Sequence, residues 1–160
     1  MTETTRPVFP HVAARDLEGR PVMLPDGFAG RRNIAVIAFR REQQALVDSW
    51  VPWLEGRSAA DDGLRFYEIP AISTMWSPVR RFIDGGMAAA IGVPEVLRRT
   101  LTYYGNLTAL TSPLGIDDRR TVWCVLVDQT GVVHAIEPGP FSEAAAGRLG
   151  TALDALASGD

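Results

Sequence analysis

The hydrophobic pattern changes period most sharply between Asn33 and Gly56, NIAVIAFRREQQALVDSWVPWLEG. Ile34 to Phe39 is an unbroken apolar run. It is too short for a helix and suits a strand buried on both faces. The chain then turns polar at Arg40-Arg41-Glu42-Gln43-Gln44, and beyond it Leu46, Trp50, Trp53 and Leu54 fall at i, i+4, i+7 and i+8. That is the stripe of an amphipathic helix. A buried strand running into a helix places its turn at the strand's carboxyl end. There the helix offers unpaired N–H groups and its positive dipole end. The stretch therefore predicts both the organising unit of the fold and the place of a functional site.

Around this unit the other elements read more briefly. Residues 1–8 are expected to be a flexible N-terminus and 9–157 a single domain. Phe9 to Pro25 predicts a hairpin, with turn chemistry at Asp16 to Arg20 and Val22 and Leu24 alternating on one strand. Leu64 to Ile69 predicts a second core strand closed by Pro70. Ser77 and Pro78 suit a helix start, followed by the stripe Val79, Phe82, Ile83, Met87, Ala90 and Ile91. Gly85-Gly86 weakens that helix by about 1 kcal/mol per glycine. Glu95 to Tyr104 predicts a shorter helix, and 105–120 yields only turn signals. Thr121 to Val127 predicts a strand, Asp128 to Gly131 a hairpin turn, and Val132 to Ile136 the antiparallel return. Ser142 caps a last helix with the stripe Ala145, Leu149, Ala152, Leu153 and Leu156. This order predicts an α/β fold with a central mixed sheet and helices on both faces.

Composition narrows the function classes. A chain of 160 residues, 46% hydrophobic and 22% charged, suits one soluble domain. The net charge of −3 gives no reason to expect nucleic acid as a partner. All 16 basic residues are arginine, which favours fork-shaped hydrogen bonding, although GC-rich coding accounts for the same usage. No apolar run approaches the ~20 residues of a membrane span. The N-terminal segment lacks the basic and apolar regions of a secretory leader, so the chain reads as cytoplasmic. One cysteine and two histidines offer no disulfide, no CxxC pair and no metal cage, and no cofactor is expected.

Three segments carry a resemblance: Asp16-Leu17-x-Gly19-x-x-Val22-x-Leu24, the apolar strand into Phe39, and Val125-Leu126-Val127-Asp128-x-x-Gly131-Val132-Val133. Together they resemble the thioredoxin-like and peroxiredoxin-like superfamily over about Phe9 to Leu156. Gln43-Gln44 after Phe39, Val47-x-Ser49-Trp50 and Gly86-Met87 resemble, more narrowly, the mitochondrial ATP-synthase assembly-factor family. The resemblance implies a thioredoxin-like three-layer α/β/α fold with a central mixed sheet and an N-terminal hairpin. It also places the superfamily's redox cysteines near Gln44 and Val47, and its cis-proline near Trp123 or Arg120. Neither a thiol nor a proline stands at those positions, so disulfide exchange and peroxide reduction at the usual site are not expected.

The candidate binding residues are Arg40, Arg41, Glu42, Gln43, Gln44, Trp76 and Arg120. At the Arg40–Gln44 turn, two guanidinium groups and free N–H donors could hold a carboxylate or phosphate. A solvated first turn, with Glu42 favoured by the helix dipole, accounts for the same residues. Trp76 could line a cleft beside the turn. Arg119-Arg120 reads as a solvated face beside Asp117 and Asp118, with Arg120 retained as a candidate. Cys124, inside an apolar strand, reads as an inert buried thiol, and His134 as a structural histidine. No catalytic residue can be named. The expected function is a non-redox protein that binds a protein or peptide partner in an assembly or chaperone-like role, as the resemblance implies. One alternative is an enzyme reusing the cleft on a small anionic or carbonyl-containing metabolite, with Gln43, Gln44 and the helix N-terminus stabilising negative charge. Another is a homodimer.

Overall fold

The computed structural model describes residues 6–73 and 99–159. In chain order these form β1 (Val12–Arg15), β2 (Pro21–Leu24), β3 (Arg32–Ala38), and a 3-10 turn (Arg41–Gln43) that leads into α1 (Gln44–Ala60). Then come β4 (Leu64–Ser73), β5 (Thr102–Gly105), α2 (Leu107–Leu114), β6 (Trp123–Asp128), β7 (Val133–Pro138) and α3 (Glu143–Ser158).

Every residue of β3 is buried, which forces it to the middle of the sheet. It pairs in parallel with β4, Ile34 opposite Phe66 and Ile37 opposite Ile69. On its other side it pairs antiparallel with β6, Val36 opposite Cys124. The sheet has seven strands in the order β2-β1-β5-β4-β3-β6-β7. Alternation along β3 then sorts the core into two halves. Ile34, Val36 and Ala38 face α1 and α3 through Val47, Trp50, Leu54, Leu149 and Leu153. Ala35 and Ile37 face the opposite half with Leu110 and Leu114 of α2 and with Phe9 and Phe28. The result is the expected three-layer α/β/α arrangement around a mixed sheet.

The N-terminal hairpin is held by Asp16, whose Oδ1 accepts hydrogen bonds from the N–H groups of Glu18 and Arg20, both at 2.9 Å. Gly19 supplies the positive φ of 85° that the corner requires. Pro7 and Phe9 dock against the turn before β7. Phe9 N–H donates to Gly131 O, and Val133 N–H donates to Pro7 O, each at 2.8 Å.

Three expectations are corrected. Pro70 does not close β4, which continues to Ser73. Ala38, opposite Pro70, is the last residue of β3, and Ala71 is already opposite Tyr103 of β5. The missing proline N–H thus falls where β4 passes from one neighbour to the next. The helix expected over Glu95 to Tyr104 is replaced, at Thr102–Gly105, by β5. β-Branched and aromatic side chains there fit a pleated strand, and pairing with β4 and β1 decides the conformation. The 105–120 segment, which gave only turn signals, contains α2. Asn106 is its N-cap, its side chain accepting from Thr108 N–H at 2.9 Å, and Gly115 closes it at φ 70°. The helix expected after Ser77 lies outside the described residues.

One buried polar side chain ties β3 to its approach. Asn33, fully buried, accepts from Gly30 N–H at 2.9 Å and donates to Gly30 O at 3.0 Å. Replacing it leaves both groups of Gly30 without their partner in the interior. We predict that Asn33→Ala destabilises the protein by about 2 kcal/mol, read as a lower urea midpoint at unchanged m-value.

Candidate functional site

The strand-to-helix turn is organised by Gln43. Its side chain sits in a polar stretch of sequence and yet is 3% exposed. Oε1 accepts from Phe39 N–H at 2.8 Å and Arg40 N–H at 3.2 Å, while Nε2 donates to Arg119 O at 2.9 Å. Gln43 N–H returns a bond to Arg40 O at 3.0 Å. One amide therefore fastens the end of β3 to the 3-10 turn and both to the loop that leads into β6. That loop is braced in turn, since Trp123 Nε1 donates to Asp118 O at 2.7 Å and Arg119 Nη2 donates to Thr108 Oγ1 at 3.2 Å.

Around this fixed amide the other candidates project outward. Arg40, Arg41, Glu42 and Gln44 are exposed. Gln44, the first residue of α1, donates to Asp48 Oδ1 at 2.9 Å along the helix. Arg120 is exposed and pairs with Asp118, Nε to Oδ1 at 3.0 Å. Hydrogen bonds from the Arg120 side chain and N–H hold the Asp118 carboxyl below its usual range, helped by the charge of Arg40. The structure thus brings Arg40 and Arg120 together around Asp118, above the buried Gln43, with Arg41, Glu42 and Gln44 on the same turn. Trp76 lies outside the described residues. Sequence reasoning named Arg120 for this surface but missed the bonds through the Arg119 carbonyl, the Asp118 carbonyl and the Trp123 indole, which form only once the sheet brings β6 beside β3.

The two positions where the resemblance places redox thiols, Gln44 and Val47, carry none. Gln44 stands at the mouth of α1, and Val47 is buried in the core at 3% exposure. The chain's single cysteine, Cys124, is fully buried in β6, and burial, with a contribution from Glu137, pushes its thiol pKa far up. Trp123, half-buried, and Arg120, exposed, occupy the positions where the resemblance places a cis-proline. No group of three or more His, Cys, Asp or Glu side chains among the described residues is placed to hold a metal ion. No helix among them is long and apolar enough to cross a membrane.

His134 is paired in the β6–β7 hairpin, where its Nε2 lies 2.7 Å from Asp128 Oδ2. Burial alone would raise the Asp128 carboxyl. Hydrogen bonds from His134, the Thr130 hydroxyl, and the Val132 and Thr130 N–H groups outweigh it and bring its pKa to about 2. The histidine is therefore a turn fastener.

No family model matches the chain, and no curated protein matches it. Solved structures do. The thioredoxin domain of a thiol-disulfide oxidoreductase from Bacteroides vulgatus is 19% identical, over 94% of this chain and 98% of that one, with a TM-score of 0.59. An exposed lipoprotein thioredoxin from Streptococcus pneumoniae is 13% identical over 90% of this chain and 98% of that one, with a TM-score of 0.58. A member of the Sco family of cytochrome c oxidase assembly proteins is 12% identical over 98% of both chains, with a TM-score of 0.60. The fold is thioredoxin-like.

Two outcomes follow from the site's geometry. Gln43→Ala orphans the buried ends of two backbone segments and should cost about 2 kcal/mol. Amide exchange at Phe39 should quicken with it; unchanged protection there would show that the amide is not the fastener. Asp128, whose ordinary pKa is 3.8, titrates lower in the folded chain. Its stabilising contribution is complete above about pH 4 and is lost as pH falls through about 2. An acid titration monitored by circular dichroism should show this component in the parent chain and not in Asp128→Asn.

Proposed function

We propose that this chain is a non-redox thioredoxin-like protein that binds a protein or peptide partner at the carboxyl end of β3, in an assembly or chaperone-like role. One observation carries the reading. A fully satisfied, buried Gln43 occupies the turn next to the usual thiol position, and Arg40, Arg41, Gln44 and Arg120 surround it at the surface. A chain with one deeply buried cysteine cannot cycle a dithiol. What remains at the helix mouth is a cluster of exposed guanidinium groups around a hydrogen-bonded turn, suited to carboxylates or backbone carbonyls of a docked chain. The resemblance of short motifs to the ATP-synthase assembly-factor family points the same way. So does the presence, among proteins of the same shape, of a cytochrome c oxidase assembly protein.

The test is co-purification of a tagged chain from its native cells, followed by titration of the captured partner. The double variant Arg40→Ala/Arg41→Ala should weaken binding at least about tenfold, about 1.4 kcal/mol, with the thermal midpoint of the free chain little changed. Affinity equal to the parent's would remove this surface from the interaction.

A further inference from the structure

On the same helix, but about 13 Å along its axis from Gln44, a second surface is built. A shallow, open groove of about 350 Å³ runs between α1 and α3. Trp53 comes from α1 and Phe141 from the segment before α3. The fully buried Trp50 meets both edge-on, with ring centroids 5.8 Å from Trp53 and 5.4 Å from Phe141. Phe141 is further fixed by its N–H, which donates to Ser49 Oγ at 3.0 Å. The two rings are therefore held in place without closing the groove, and Phe141 remains 37% exposed.

The α3 side of the groove has an ordered charge pattern. Glu143, Gly147, Gly150 and Asp154 fall at i, i+4, i+7 and i+11, one stripe of the helix. A side chain started at Gly147 would meet no atom within 4 Å, so the space is open down to the helix backbone. At one end Asp154 is neutralised by Arg57, Nη2 to Oδ1 at 2.5 Å. At the other, Glu143 has no ion pair or hydrogen bond among the described residues, and about 16 Å of helix separates it from Asp154. The groove therefore carries one carboxylate with no side-chain partner among the described residues, in the first turn of α3 and beside aromatic rings. Arg57 already shows how such a ring is used, its guanidinium carbon lying 5.7 Å from the Trp53 centroid. A second cation at the Glu143 end would gain both an aromatic face and a carboxylate. An anion would meet Glu143, and a purely apolar occupant would leave it unused.

We propose that this groove docks an arginine side chain of a partner polypeptide, its guanidinium against Phe141 and Glu143. The site is separate from the strand-end surface and does not depend on it. The test uses the isotope-labelled full chain titrated with the blocked tripeptide Gly-Arg-Gly, and with the same peptide carrying citrulline or glutamate in place of arginine. Signals are read at the Trp53 indole N–H and the Gly147 and Gly150 amides. The arginine peptide should shift these signals saturably, with citrulline at least about tenfold weaker. Glu143→Gln should weaken the arginine peptide several-fold, Gly147→Leu should abolish the shifts by filling the groove, and Arg40→Ala/Arg41→Ala should leave them unchanged. Equal binding of citrulline, preference for glutamate, or no saturable shift with the arginine peptide would each overturn the proposal.

Discussion

A strand with no solvent-facing side has to be covered twice, and β3 imposes that condition on the whole molecule. Its seven residues are all buried, so a helix layer must lie on each face and a strand along each edge. The two core halves follow from the alternation of its side chains. Even the two kinds of pairing are consequences. α1 returns the chain for a parallel partner, while the tight Asp128–Gly131 turn lets β6 and β7 lie antiparallel at the other side.

The elements that were legible in the sequence are those whose residues carry the signal within themselves. β3 announces itself through continuous apolar character, and α1 through the spacing of Trp50, Trp53 and Leu54. The Asp16–Arg20 corner is legible through an aspartate and a glycine in the required positions. β5 was not legible, because Thr102-Tyr103-Tyr104 takes its conformation from β4 and β1, which are distant in the chain. α2 is only eight residues long and contains Pro113, so periodicity had too few turns in which to appear.

The candidate site was legible in place but not in construction. A strand end facing a helix start is visible as a change of period. That Gln43 is buried while its neighbours are exposed is not, because a glutamine within Arg-Arg-Glu-Gln-Gln reads as a surface group, either solvated or facing a ligand. Its partners are backbone groups, and one of them, Arg119 O, lies 76 residues away. Polar side chains that bond to backbone leave no compositional trace, which is why Asn33 was equally silent.

The choice of a carboxamide at this junction has a consequence beyond packing. A thiol pair at a helix mouth changes its bonding with the surrounding reducing power, and an imidazole or carboxyl there changes with acidity. The Gln43 side chain has neither an exchangeable electron pair nor a titratable proton under physiological conditions. The bonds that Gln43 makes at the mouth of α1 are therefore the same in an oxidising and a reducing compartment, and at neutral and mildly acidic pH.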